Sequence, residues 1–201
     1  MSTFDERARG WDTPEKRSRA EAVAQVIRES VDLAPTMRVI DVGAGTGLLG
    51  LALANEVGEL VLAEPSEGML SVAREKLAAG EPSDVTAVRF DLMADPPPGD
   101  AFDLAVSLLV LHLVADTGAA LTAIRRLLRP GGRICLADLD AEDGSFHDPN
   151  AEGIHHFGFE RRALIETAQA AGFTDVAIRP ATEIERDGRQ YSLFLLLGTA
   201  P

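Results

Sequence analysis

The stretch from Arg38 to Gly50, RVIDVGAGTGLLG, constrains this chain more than any other. A short apolar run, Val39, Ile40 and Val42, is interrupted by Asp41 and passes into Gly43, Gly45 and Gly47 at alternate positions, then into the helix-forming segment Leu48 to Ala54. The pattern predicts a strand, a tight turn and a helix start. Glycine suits such a turn because the backbone must take positive φ values and let a ligand approach more closely than a Cβ permits. The helix that follows points unpaired N–H groups into the same space. A ligand with a polar or charged group is therefore expected on this turn.

Gly45-x-Gly47-x-x-Gly50 also fits the dinucleotide fingerprint, so a nicotinamide-dependent oxidoreductase is one reading. Asp41 opposes it, because a carboxylate just before the turn repels a pyrophosphate and attracts an amino group. Glu64 ends the next predicted strand, Glu59 to Ala63, where a ribose diol lies in a doubly wound nucleoside site. Asp91 closes the strand Val85 to Phe90 and can accept from an exocyclic adenine amine. Acids on three successive strand ends describe a ligand with an amine, a diol and an adenine, and no phosphate.

At these residues the chain resembles the class I S-adenosylmethionine-dependent methyltransferases. VIDVGAGTG is similar to their first motif, AEPSEGML to the ribose strand and its helix, RFDL to the adenine strand, and LLRPGGRICLADL to the segment ending in their fifth strand. The likeness runs from roughly Met37 to Leu139. It implies an α/β fold, a single Rossmann-like three-layer sandwich whose mostly parallel seven-stranded sheet has an antiparallel last strand. The implied cofactor is S-adenosyl-L-methionine, with S-adenosyl-L-homocysteine as product. Asp41, Gly43, Ala44, Gly45 and Gly47 would hold its amino-acid end, Glu64 and Pro65 the ribose, and Met69, Asp91 and Leu92 the adenine. Ser107 and Leu108 would lie in the crevice, and Trp11 would serve as a lid or as a wedge packing the leader onto the sheet. SLLVLH stands where base and glutamine methylases carry Asn-Pro-Pro-aromatic, and the several cysteines of arsenite methyltransferases are missing. The group left is the small-molecule enzymes resembling the quinone-biosynthesis type. The implied reaction is in-line methyl transfer to an O, N or S atom of a small-molecule acceptor. A non-catalytic binding partner or activating subunit on the same fold is the alternative.

The 201 residues, 46% hydrophobic and 25% charged, suit one domain over 1–201, with an N-terminal helical lid at 1–33 and a substrate-side loop at 140–159. A net charge of −13 argues against nucleic acid. The charged N-terminus, MSTFDERARGWD, has no apolar run, and the single Cys135 sits in an apolar strand. No membrane association, a cytoplasmic location and a monomer or homodimer are expected.

Periodicity predicts helices from Thr13 to about Ala34, Leu48 to Asn55, Ser66 to Ala79, Thr117 to Leu128 and Glu160 to Ala171. Further strands are expected at Phe102 to Ser107 and Arg133 to Leu139, the latter after a sharp turn at 129–132. Thr174 to Arg179 and Tyr191 to Leu197 form a closing antiparallel pair joined by a polar linker, 180–190. Three of the four histidines, His147, His155 and His156, fall in the 140–159 loop with Phe146, Phe157 and Phe159. This is the composition of a substrate lid that favours an apolar or aromatic acceptor. His155 or His156 is the candidate general base. A metal site with Asp140 or Asp143, or histidines that only shape the pocket, are the other readings, and no metal is the expectation carried forward. His112, after the fourth strand, is read as a pocket wall or as a base.

Overall fold

The computed structural model of the protein describes residues 3–80, 82, 84–148, 151 and 153–201. Seven strands, β1 Arg38–Val42, β2 Glu59–Glu64, β3 Val85–Arg89, β4 Phe102–Leu108, β5 Leu128–Leu139, β6 Thr174–Arg186 and β7 Arg189–Thr199, form one sheet in the order β3-β2-β1-β4-β5-β7-β6. β1 to β5 pair in parallel, and β7 lies antiparallel between β5 and β6. The chain leaves β1 toward β2 and β3, then returns to β4 on the other side. The glycine turn after β1 thus stands at the point where strand order reverses, the crevice in which such sheets hold ligands.

Helices α1 Thr3–Arg7, α2 Pro14–Arg28, α3 Leu48–Leu53, α4 Glu67–Ala78, α5 Thr117–Leu127 and α6 Arg161–Ala170 surround the sheet. Side chains alternate across the strands. Val39, Leu60, Leu62, Leu104 and Val106 pack toward Val23, Ile27, Leu49, Leu53 and Ala73 of α2, α3 and α4. Ile40, Val42, Val61, Ala105 and Ile134 pack toward Leu121, Ile124 and Leu164 of α5 and α6. Both faces are covered, so the central strands are mostly apolar on both sides. Asp41 shares the parity of Val39 and is carried toward α3.

Local signals act as written. Thr13 Oγ1 accepts from the Lys16 N–H at 3.3 Å with Pro14 next to it. Ser66 Oγ accepts from Met69 N–H at 3.3 Å and Asp116 from Ala119 N–H at 2.9 Å. Each satisfies one orphan donor of a first turn. The leader is a short helix, α1, followed by a 3-10 turn at Ala8–Gly10, and α3 passes into a 3-10 turn at Ala54–Glu56.

Two expectations are corrected. Residues 180–190 are not a polar linker, because β6 runs to Arg186 and β7 starts at Arg189. Asp187 and Gly188 make the whole turn with φ of 52° and 75°, as a tight hairpin with right-twisted strands requires. β6 is an edge strand with one solvated face, which accounts for its polarity and lets Pro180 sit beside a register shift. Residues 129–132 do not precede the fifth strand but belong to it. Leu128 pairs with Phe102, a register shift follows, and Gly131 N–H donates to Ala200 O at 2.7 Å.

The 140–159 segment, of which 149, 150 and 152 lie outside the described residues, is closed at its base. Ala141 N–H donates to Phe159 O at 3.0 Å, Phe159 N–H to Leu139 O at 2.9 Å, and Arg161 grips both oxygens of Asp140 at 2.6 and 2.7 Å. Gly158 sits at φ +72°, where an added Cβ would be 2.1 Å from Asp140 O. Gly158→Ala is expected to destabilise the fold by about 3 kcal/mol, the sum of a left-handed backbone penalty and backbone crowding, as read by urea unfolding. No helix among the described residues is long and apolar enough to cross a membrane.

Candidate functional site

The turn is shaped by close approach from all sides. Gly43, Gly45 and Gly47 have φ of 67°, 57° and 86°. A Cβ on Gly43 would lie 2.6 Å from Val110 Cγ2, so the segment after β4 roofs the turn, and one on Gly45 would face Trp11 Nε1 at 3.8 Å. Gly43 N–H donates to Ala63 O at 2.8 Å, and Ala44 N–H to the same oxygen at 3.1 Å, fastening the turn to β2. Leu109, directly after β4, adopts φ 60°, a strained value for a branched residue of the kind that collects at functional sites.

Glu64 is the centre of the cleft. Its Oε2 accepts from Gly45 N–H and its Oε1 from Ser66 N–H, both at 2.9 Å. Burial pushes its carboxyl above the ordinary value against the pull of those two N–H groups, and the charge of Asp5 adds to the rise. Asp41 is buried at 1% exposure, and its Oδ2 accepts from Gly50 N–H in the first turn of α3 at 2.9 Å. Burial pushes its pKa up to about 7; the Gly50 N–H opposes the rise and the Glu64 charge reinforces it. The strand parity of Asp41 turns its carboxylate beneath the turn, toward the first turn of α3.

The third acid of the expectation, Asp91, follows Phe90, whose N–H donates to Glu64 O at 3.2 Å. Its Oδ1 accepts from Met93 N–H at 2.9 Å and closes the turn after β3, while Leu92 packs against the α5 side of the core. The carboxylate that joins the buried pair is Asp5, which periodicity does not reveal. Ser107 Oγ, at the end of β4, is buried without a hydrogen-bond partner among the described residues. Leu108 and Ala44 are half-buried, Pro65 is exposed, and Met69 is fully buried at the start of α4.

The N-terminal segment lies across this cleft. Asp5 Oδ1 accepts from Ser66 Oγ at 2.6 Å and from Gly68 N–H at 2.9 Å, occupying the first turn of α4. Asp12 accepts from Thr46 Oγ1 at 2.5 Å and pairs with Lys76 at 2.6 Å. Trp11 sits edge-on to Phe4 at 5.9 Å, with the Lys16 ammonium 3.2 Å from the centre of its ring system.

On the β4–β5 side the histidines fall into two groups. His156 Nε2 is 3.0 Å from Val114 O and 3.3 Å from Thr117 Oγ1, which pins the ring to the backbone, and the main-chain N–H groups of His155 and His156 both donate to His112 O. His155 itself is exposed. The titratable cluster is instead His112, Asp138 and His147. His112 Nδ1 is 2.8 Å from Asp138 Oδ1, its N–H donates to Asp138 Oδ2 at 3.2 Å, and its ring is 4.9 Å from that of His147. Asp138 was open to detection, since an acid inside the apolar run ICLADL is the same signal that marks Asp41. Among the described residues no group of three or more His, Cys, Asp and Glu side chains is disposed to hold a metal.

The residues present fit a nucleoside with a cationic amino-acid end. Glu64 at the turn, Asp41 buried beneath it with no ion-pair partner among the described residues, an orphaned Ser107 hydroxyl at the end of β4 and a turn in which a Cβ on Gly43 would crowd Val110 together make this arrangement.

Residues 40–134 match the family described as "Methyltransferase domain". Ubiquinone/menaquinone biosynthesis C-methyltransferases are similar in sequence. That of Shewanella oneidensis is 37% identical over 108 residues, 52% of this chain and 43% of the relative, and that of Shewanella piezotolerans is 35% identical over 114 residues, 55% and 45%. The chain thus spans less than half the length of these curated relatives. Among solved structures, a chain from the complex between the Haloferax volcanii Trm112 methyltransferase activator and a methyltransferase superposes with TM-score 0.79 at 22% identity, covering 100% of this chain and 99% of that one. A SAM-dependent methyltransferase from Aquifex aeolicus does so with TM-score 0.72 at 19% identity, covering 98% of both. With the glycine turn, the strand order and the ordered motifs, these likenesses make the chain similar to the class I S-adenosylmethionine-dependent methyltransferases, and in sequence to the quinone-biosynthesis enzymes among them.

Proposed function

We propose that the chain binds S-adenosylmethionine in the crevice above β1, β2 and β4 and transfers its methyl group to a small-molecule acceptor by in-line displacement. The observation that carries this reading is the pairing of Glu64 with Asp41, two buried carboxylates around a turn of positive-φ glycines. Bound there, the cofactor supplies an electrophilic methyl on a sulfonium. Glu64 would bind the ribose hydroxyls, and the space left by the side-chain-free turn together with the field of Asp41 would hold the amino-acid end. Ser107 and the roof formed by Val110 border the path toward the acceptor, and Trp11 with Asp5 and Asp12 closes the cleft against water. Alignment alone can supply roughly 7 to 11 kcal/mol of the barrier, so positioning is the chain's main task. The acceptor atom, read from residues as O, N or S, is widened to carbon by the name of the sequence relatives.

Titration calorimetry with S-adenosylhomocysteine is expected to show one saturable site, and NADH none. Saturable NADH with no response to S-adenosylhomocysteine would overturn the reading in favour of an oxidoreductase. Sedimentation equilibrium separates monomer from homodimer.

A further inference from the structure

Outside the cofactor crevice, one acid buried among the described residues, Asp138, is not used by the reading above. Asp138 is fully buried in β5; it accepts from His112 N–H at 3.2 Å and from its neighbour Leu139 N–H at 2.8 Å, and its Oδ1 lies 2.8 Å from His112 Nδ1. An ionised carboxylate only accepts, so this geometry puts the proton of a neutral His112 ring on Nδ1 and leaves Nε2 as the basic nitrogen. Backbone and side-chain contacts from one acid fix both the position and the tautomer of the ring, which is how a base is held ready.

The placement is equally specific. His112 follows Val110, the residue packed on Gly43, so the ring stands beside the turn on the β5 side. Around it lies a small apolar cluster separate from the two main cores, built from Leu139, Phe146, Ile184, Tyr191 and Leu193 beneath the 140–159 segment. Phe146 stands edge-on to His147 at 4.9 Å and to Tyr191 at 5.2 Å, an aromatic surface against which a flat ring could stack. His147 Nε2 is buried with no hydrogen-bond partner among the described residues, a polar atom left for a ligand to satisfy. The charged and titratable groups bearing on this pair of rings are Asp138, Glu142 and Arg186, and burial holds the His147 ring below its ordinary pKa, with the neighbouring His112 adding to the effect.

We propose that His112, oriented by Asp138 as its positioning residue, is the general base that takes the proton from a hydroxyl of an aromatic acceptor lying against Phe146 and His147. This rests on the methyl-transfer reading above. As the acceptor attacks, its O–H proton passes to His112 Nε2, and the ring electrons so released form the new bond from acceptor oxygen or activated ring carbon to methyl. The S–CH₃ pair stays on sulfur, which leaves as the neutral thioether. Where carbon is attacked, its displaced hydrogen is lost as a proton when the ring rearomatises.

The test uses 4-nitrophenol, whose phenolate absorbs separately from the phenol, titrated into the full chain with and without S-adenosylhomocysteine. The pH is held below the point at which the free probe ionises. The wild type is expected to show a saturable phenolate band, with at least tenfold more phenolate than the free probe. His112→Gln should lose the band, and Asp138→Asn should reduce it about tenfold while S-adenosylhomocysteine affinity stays unchanged. Nitrogen-15 shifts of the wild-type ring should report Nδ1–H alone and imidazolium with the probe, and Asp138→Asn should move the tautomer toward Nε2–H. The imidazolium formed with the probe is the readout that a merely structural acid–histidine pair would not produce. The ring shifts are read on the wild type, so they decide even where a variant fails to fold. Binding without phenolate, a band that survives His112→Gln, or no binding of the phenol overturns the proposal. Failure of S-adenosylhomocysteine alone to bind overturns the methyl-transfer reading instead.

Discussion

Replacing Glu64 by alanine is expected to weaken S-adenosylhomocysteine binding by more than about 100-fold, the largest loss at any single side chain of the cleft. An ionised carboxylate offers about four acceptor positions. Two are taken by Gly45 N–H and Ser66 N–H, which orient the group, and two remain for a vicinal diol. Hydrogen bonds to a charged group are worth about 1.5 to 3 kcal/mol each, so losing two removes at least about 3 kcal/mol. Glu64→Gln keeps the volume but turns an NH₂ toward one of the two backbone donors, and an intermediate loss of about tenfold or more is expected. Stability should change less than affinity. The alanine variant strands two N–H groups but also relieves the buried charge that raises the carboxyl's pKa. Calorimetry and a thermal melt on the same samples separate the two effects. An alanine variant that binds within threefold of wild type would remove Glu64 from the ribose.

The glycine turn and strand tips were legible because each depends on residues close in sequence. Strand, positive-φ turn and helix cap read continuously from Arg38 to Gly50, and the caps Thr13, Ser66 and Asp116 each accept from the N–H three residues on. What escaped was contact between distant segments. Asp5 reaches Ser66 because the leader folds back on α4, and Asp138 meets His112 because β4 and β5 are neighbours whose ends deliver both. Loop composition drew attention to His155 and His156, yet a loop must satisfy its own backbone first, and His156 is spent on Val114 O. The hairpin at Asp187-Gly188 was a missed local signal. Asp-Gly flanked by arginines reads as polar linker only while the exposed face of an edge strand is mistaken for a lack of strand.

Asp41→Asn is expected to uncouple stability from cofactor binding, with opposite signs at neutral pH. The folded chain holds the Asp41 proton to about pH 7, whereas the ordinary carboxyl releases it near 3.8. Between these values the unfolded chain has lost a proton that the folded chain keeps, so wild-type stability falls as pH climbs through the window, by about 4 kcal/mol in all. Asparagine still offers an oxygen to Gly50 N–H but does not ionise. Its stability should match wild type at pH 4 and exceed it by about 2 to 4 kcal/mol at pH 8. A smaller slope should persist from Glu64, whose pKa is also raised by burial. Binding runs the other way. An ammonium on the turn favours the ionised form of Asp41, so wild-type affinity for S-adenosylhomocysteine should rise up to tenfold per pH unit below 7 and then level, with proton release that grows as pH falls below 7. The asparagine variant should bind more weakly at pH 8 and with little pH dependence. Urea unfolding at several pH values, and calorimetry in buffers of different ionisation enthalpy, measure both. A wild-type affinity flat from pH 5 to 8 would mean that the buried acid has no part in holding the cationic end, and an asparagine variant less stable at every pH would mean that its carboxylate is a structural cap alone.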